Sequence, residues 1–150
     1  MLPGKFTGYY WRLSTFLAEK EVILDKAHPD HRFPEDDSLV YYTRYLEGCL
    51  VFVDGSRLRF EVALGLDEQY NVIERRYFYG YYDREGTRVL QYDNSPHHAD
   101  LASHPHHVHR GPVPAVGNDR AFELDIPRAD FVAVFSKVEE LVQMGAIHLT

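Results

Sequence analysis

Six of the chain's nine histidines fall in one stretch, YDNSPHHADLASHPHHVH, which runs from Tyr92 to His109. Histidine is the only side chain that, unperturbed, changes charge near neutral pH, and it is also the commonest metal ligand. Three uses of such a segment compete: proton transfer, metal binding, or a polar loop with no chemistry. For RNA cleavage without a metal, a base must take the 2′-hydroxyl proton, an acid must protonate the leaving oxygen, and a cation must meet the charge on phosphorus. The candidates for the proton work are His97, His98, His106, His107 and His109, with Tyr92 and Asp93 as orienting groups. Arg110 is the candidate cation, and Tyr79 and Tyr81 are candidates to stack unpaired bases.

A mononuclear metal site needs three or four converging ligands at about 2.0–2.2 Å. In an extended SHPHHVH segment, His104 and His106 share one face and His107 and His109 the other. Either pair could hold zinc, nickel or manganese with a third ligand from His97, His98, Asp93 or Asp100. No helical HExxH motif and no second cysteine support a metal, so proton transfer without a cofactor is the expected chemistry and the metal its alternative. In the third case, Asp93 and Asn94 bond their own backbone, Pro96 fixes a bend, and the histidines decorate a surface turn.

The elements that must position this segment can be read from pattern. Eleven tyrosines and nine phenylalanines, clustered as Tyr41-Tyr42, Tyr77-Phe78-Tyr79 and Tyr81-Tyr82, favour strands. LVYYTRYLEGCLVFV (39–53) leads into the tight-turn signal DGS (54–56). RLRFEVAL then alternates Arg57, Arg59 and Glu61 with Leu58, Phe60 and Val62, as a half-buried strand should. NVIERRYFYGYY, the turn DREGT and RVLQYD continue the pattern, which gives an antiparallel β-meander.

At the N-terminus, Tyr10, Leu13, Phe16 and Leu17 predict a helix over 8–19 with Thr7 as a candidate cap, and EVILDK (21–26) reads as a strand. HPDHRFPEDD (28–37) is expected to be a loop with solvated His28 and His31, and RGPVPAVGNDRAF (110–122) another loop. Phe131, Val134, Phe135, Val138, Leu141 and Val142 form the apolar stripe of a C-terminal helix. Asp125, or failing that Asp130, is its candidate cap, Pro127 falls in its first turn, and Gly145 ends it. The fold expected is one α+β domain over 1–150, a meander sheet packed by the C-terminal helix and a short N-terminal one.

The net charge of -7 argues against a surface that holds nucleic acid everywhere. The acidic excess lies at the two ends, however, with seven acids and five bases in residues 1–37 and six and three in residues 118–150. Between 93 and 117 there are two acids, one arginine and six histidines. The single Cys49 is expected to be a buried thiol rather than a nucleophile. There is neither a secretory-signal pattern nor a membrane-length apolar run, so the expected compartment is the cytoplasm.

LVFVDGSRLRF followed by YFYGYYDREGTRVLQYDNSPHHADLASHPHHVH resembles the TumE-type toxins of toxin–antitoxin modules, which carry a DGS strand, a motif like FRYDNAPHH and, soon after, PHHKH. The resemblance covers residues 50–110. Tyr92, Asp93, Asn94, Pro96, His97 and His98 match the first motif, and Pro105, His106, His107 and His109 the second. Val108 stands where the family usually has lysine, and sequence at the N-terminus and after residue 110 reads as additional. The resemblance implies a small toxin, a DNA-binding antitoxin as partner, and RNA as target. That leads to a metal-independent ribonuclease as first expectation. A histidine-metal protein or metalloenzyme is the alternative, as is a catalytically silent interaction module. A homodimer stays open, and His98 and His107 are expected to be exposed positions whose loss leaves stability within about 1 kcal/mol.

Overall fold

The computed structural model of the chain describes residues 2–33 and 44–149. Helix α1 (Leu2–Ala18) comes first, and a 3-10 turn (Glu21–Ile23) follows it. Six strands come next: β1 (Tyr45–Val51), β2 (Arg57–Leu66), β3 (Val72–Tyr82), β4 (Arg88–Asp93), β5 (His107–Arg110) and β6 (Ala121–Glu123). Helix α2 (Phe131–Leu149) closes the chain. The strands form one antiparallel sheet in sequence order, as expected for a meander.

Alternation along the strands gives the sheet two unlike faces. Leu58, Phe60, Val62 and Leu64 of β2, Tyr77, Tyr79 and Tyr81 of β3, Leu90 and Tyr92 of β4 and Val108 of β5 are all buried in one core with the helices. Onto that face α2 sends Phe131, Val134, Phe135, Val138 and Val142, while α1 sends Phe6, Leu13 and Leu17. Phe60 meets Phe131 edge-on at 5.0 Å between ring centroids, and Phe16 meets Phe135 at 5.3 Å, so the helices also touch each other. Edge-on contacts of this kind add stabilisation beyond the area they bury.

Among the described residues the other face of the sheet carries no helix. It presents Arg57, Arg59 and Glu61 of β2, Arg76, Phe78 and Tyr82 of β3, Gln91 and Asp93 of β4, and His107 and His109 of β5. Gly80 lies between Phe78 and Tyr82 on this face. A Cβ there would come within 2.7 Å of the Tyr82 hydroxyl and 3.0 Å of the Phe78 ring. The glycine is what lets both rings lie over the strand.

Several elements differ from expectation. Helix α1 begins at Leu2, which puts Thr7 inside it rather than at its cap; buried Phe6 extends the apolar stripe upstream, and Pro3 is tolerated in a first turn. Residues 21–26 do not form a strand. They make a 3-10 turn and a single bridge, Leu24 to Phe52, with Asp25 N–H donating to the Val51 carbonyl at 2.7 Å. A run of three apolar residues does not discriminate strand from turn, and the following prolyl loop draws the chain away.

His31 is not solvated either, since its Nδ1 accepts from the Val51 N–H at 2.9 Å and its ring packs on Phe33. His28 is half-buried and accepts from the Asp30 N–H. The expected strand residues 39–43 and loop residues 34–37 lie outside the described residues. The tail of the expected 110–122 loop contributes Ala121 and Phe122 to β6, because their partners on β5 offer an open edge. Cys49 is buried as expected, and that burial raises its thiol pKa.

Helix α2 is capped by Asp130, whose Oδ1 accepts from the Ala133 N–H at 2.9 Å. Asp125 is taken up instead by the Tyr92 hydroxyl, and Pro127 precedes the helix. Gly145 does not end the helix, which runs on to Leu149. A second acceptor, Glu74 of β3, takes the Phe131 N–H at 2.9 Å. The same carboxylate receives the hydroxyls of Tyr9 and Tyr79, so one half-buried side chain ties β3 to both helices. Burial is the main cause of the raised pKa of Glu74.

Candidate functional site

Strands β4 and β5 pair so that Asp93 faces His107 and Gln91 faces His109. The period of two puts all four on the helix-free face. The β4–β5 connection then folds back and lays His98 over them. Ring centroids of His98 and His107 are 4.7 Å apart, those of His107 and His109 4.9 Å, and those of His98 and His109 5.5 Å. One ring nitrogen from each of the three lies within 4.8 Å of the others.

Asp93 fixes this cluster. Its Oδ1 is 2.9 Å from His107 Nε2 and accepts from the Ser95 N–H at 3.0 Å. Its Oδ2 accepts from Gln91 Nε2 at 3.0 Å and lies 3.9 Å from His109 Nε2. The far nitrogens of both buried rings are also occupied. His107 Nδ1 donates to the Pro105 carbonyl at 3.0 Å, and His109 Nδ1 donates to the Arg120 carbonyl at 3.0 Å. Burial lowers the His107 pKa, against the opposite pull of the Pro105 carbonyl and the Asp93 carboxylate.

Behind the cluster, Arg88 holds Asp119 through two bonds of 2.7 Å and also reaches Gln91 Oε1 at 3.3 Å. The Arg88 guanidinium pulls the Asp119 pKa below the usual carboxylate range, and Asp119 Oδ2 lies 3.4 Å from His109 Nδ1. A continuous chain of polar contacts thus runs from Asp119 through Arg88 and Gln91 to Asp93. Gln91 was legible in sequence as the residue two before Asp93 on the same strand. Arg88 and Asp119, thirty-one residues apart, carried no local signal.

The structure brings Asp93, His98, His107 and His109 together and places the other candidates elsewhere. Tyr92 points into the core and donates to Asp125 Oδ1 at 2.8 Å. Arg110 projects on the helix side, lies over the Phe122 ring and pairs with Asp125 at 3.3 Å. Tyr79 and Tyr81 are buried, at 1% and 6% exposure, so they offer no face to a base. Their sequence neighbours Phe78 and Tyr82 occupy the open face instead, one step out of phase with the residues chosen from sequence.

His106 is exposed and stacks on Tyr77, whose hydroxyl is 2.8 Å from its Nδ1. His104 is exposed in the turn before β5, and the extended pairing of His104 with His106 does not form because only residues from 107 onward are in the strand. His97 and Asp100 line a depression beside His98 and Asp119. On the other side of the cluster, Gln91 and Asp93 line a groove with Arg76 and Phe78. Val108 faces the core between Tyr92 and Phe122. The lysine-to-valine departure therefore falls on the face away from the cluster.

Among the described residues no helix is long and apolar enough to cross a membrane. No curated protein and no solved structure matches the chain. The family model described as Toxin TumE matches residues 16–142, so residues 111–142, which had read as additional, are part of the family pattern, whereas the first fifteen residues lie outside the match. A toxin of this kind implies an antitoxin partner. The chain therefore belongs to the Toxin TumE family, the toxin component of a toxin–antitoxin module.

Proposed function

We propose that this toxin acts in the cytoplasm by cleaving RNA at the Asp93, His98, His107 and His109 cluster, and that a DNA-binding antitoxin holds it inactive. The observation that carries this reading is the placement of the cluster on the helix-free face beside half-buried aromatic and exposed arginine side chains. Asp93 is the cross-strand neighbour of Phe78. A base stacked on Phe78 would put its sugar and phosphate next to the cluster, and Tyr82 could take a second base. Arg59 and Arg76, exposed on the same face, supply the positive charge that an RNA backbone needs.

Cleavage by two histidines alone, the expectation from sequence, requires two accessible rings. His107 and His109 are only 2% and 6% exposed, which leaves His98 as the accessible ring of the three. The cluster thus suits reaction at its rim rather than direct transfer from each ring to the substrate.

The test is a purified, untagged protein mixed with a single-stranded RNA oligonucleotide. Cleavage products are expected, and Phe78→Ala and Tyr82→Ala should each weaken RNA binding by about 1–3 kcal/mol without unfolding the protein. Intact RNA and no binding would remove the RNA-directed reading and return the open face to a protein partner.

A further inference from the structure

We infer that Asp93, His98, His107 and His109 form a binding site for one divalent first-row metal ion, with Zn²⁺ the best match to three imidazoles and a carboxylate. The inference rests on taking this cluster as the reaction centre, and it names the group that does the chemistry there.

The ring protons of His107 and His109 are fixed by the groups they meet. A backbone carbonyl only accepts, so a ring nitrogen bonded to one must carry hydrogen. His107 Nδ1 meets the Pro105 carbonyl and His109 Nδ1 meets the Arg120 carbonyl, both at 3.0 Å. In their neutral forms both rings therefore present a bare lone pair at Nε2. Those two nitrogens face the same carboxylate, at 2.9 Å from Asp93 Oδ1 and 3.9 Å from Asp93 Oδ2. His98 adds a third ring nitrogen within 4.8 Å of the other two.

Lone pairs directed at one point repel unless a cation joins them. A proton on His107 Nε2 satisfies the contact with Asp93 Oδ1 but gives His109 and His98 no reason to converge there. A metal ion accounts for all four groups. Metal-bound histidines characteristically donate their other N–H to a carbonyl or carboxylate, which fixes tautomer and ring orientation, and both buried rings do so here. The carboxylate is oriented in the same manner, by Gln91 Nε2 and the Ser95 N–H, each at 3.0 Å.

The spacing fits as well. Ligands about 2.1 Å from a tetrahedral ion are about 3.4 Å apart; the three ring nitrogens already lie within 4.8 Å of one another, and Asp93 offers Oδ1 at 2.9 Å from His107 Nε2 and Oδ2 at 3.9 Å from His109 Nε2. His98, half-buried on a connection rather than a strand, is the ligand free to close on the ion. Imidazole with carboxylate suits Zn²⁺, Ni²⁺ or Mn²⁺; nitrogen donors favour Zn²⁺ over Mn²⁺, and a tetrahedral set of four ligands suits Zn²⁺ better than Ni²⁺. Next to a bound RNA phosphate, such an ion would polarise a phosphoryl oxygen and lower the pKa of an attacking hydroxyl or water.

Equilibrium dialysis of the untagged, chelator-stripped protein against Zn²⁺ tests the site without using RNA. One ion per chain is expected, with a dissociation constant at or below micromolar, and His98→Ala should bind at least tenfold more weakly. His109→Ala should also lose the ion; because that ring is buried, His98→Ala is the decisive variant, and its circular dichroism spectrum should match the unaltered protein. Absence of stoichiometric Zn²⁺, or unchanged binding by folded His98→Ala, would overturn the assignment. RNA cleavage that survives metal stripping would overturn the ion's catalytic part and leave the nuclease reading standing. A protein that binds Zn²⁺ through His98 but leaves RNA intact would retain the metal site and remove the nuclease reading.

Discussion

Growth arrest is expected to disappear when His98 is replaced by alanine, while the fold stays intact. The ring belongs to the cluster through its contacts with His107 and His109, at 4.7 and 5.5 Å between centroids, yet it comes from a connecting segment and is only half-buried. Removing one member of a group that acts as a unit should lower the rate at least about 100-fold, whereas stability should change by less than about 1 kcal/mol. His97→Ala is the matched control. That ring is exposed and outside the cluster, so its loss should leave the protein toxic. His107→Ala is a poorer probe than the sequence suggested. The ring is 2% exposed and holds both Asp93 and the Pro105 carbonyl, so its removal would disturb folding as well as chemistry. Growth curves with matched expression levels decide the matter, and a fully toxic His98→Ala would place the chemistry elsewhere.

The largest effect on stability is expected at Glu74. Its carboxylate accepts from the Phe131 N–H, the Tyr9 hydroxyl and the Tyr79 hydroxyl, and the Tyr79 ring is 1% exposed. Glu74→Ala would leave these donors buried and unpaired, at about 2–4 kcal/mol. For a chain of this length that corresponds to a melting temperature lower by roughly 5–15 °C. The pH dependence has a definite sign. Burial raises the folded-state pKa, so the folded protein keeps this proton where the unfolded chain has lost it. The contribution of Glu74 to stability is therefore greatest below the ordinary glutamate pKa and is lost as pH rises through the elevated one. Denaturant titrations across that range should show the unaltered protein losing stability relative to Glu74→Gln as pH rises. A melting temperature unchanged in Glu74→Ala would mean that Phe131 and the tyrosines find other partners.

The meander was legible because its signals are local. DGS marks a turn in which Gly55 takes φ 86°, and the alternation from Arg57 to Leu64 reports one wet face and one dry face. Which aromatics faced outward was not legible in YFYGYY, where every position is apolar and the phase is set only by pairing with β2 and β4. Tyr79 and Tyr81 followed Phe60 and Leu58 into the core, and Phe78 and Tyr82 took the open face. The histidines divide along similar lines. His107 and His109 share a face by strand periodicity alone. That His98 joins them, and that His97, His104 and His106 do not, depends on how the β4–β5 connection folds back, for which turn residues give no register. Glu74 carried no sequence signal, since Tyr9 and Phe131, which tie it to the helices, come from the two ends of the chain.

In the proposed function the Asp93 and histidine cluster destroys RNA. The most direct measurement is total RNA followed over time in cells producing the untagged protein, beside cells producing His98→Ala at the same level. RNA loss that precedes growth arrest and is absent with His98→Ala is the predicted result. Growth arrest with total RNA intact, or equal RNA loss in both strains, would contradict it.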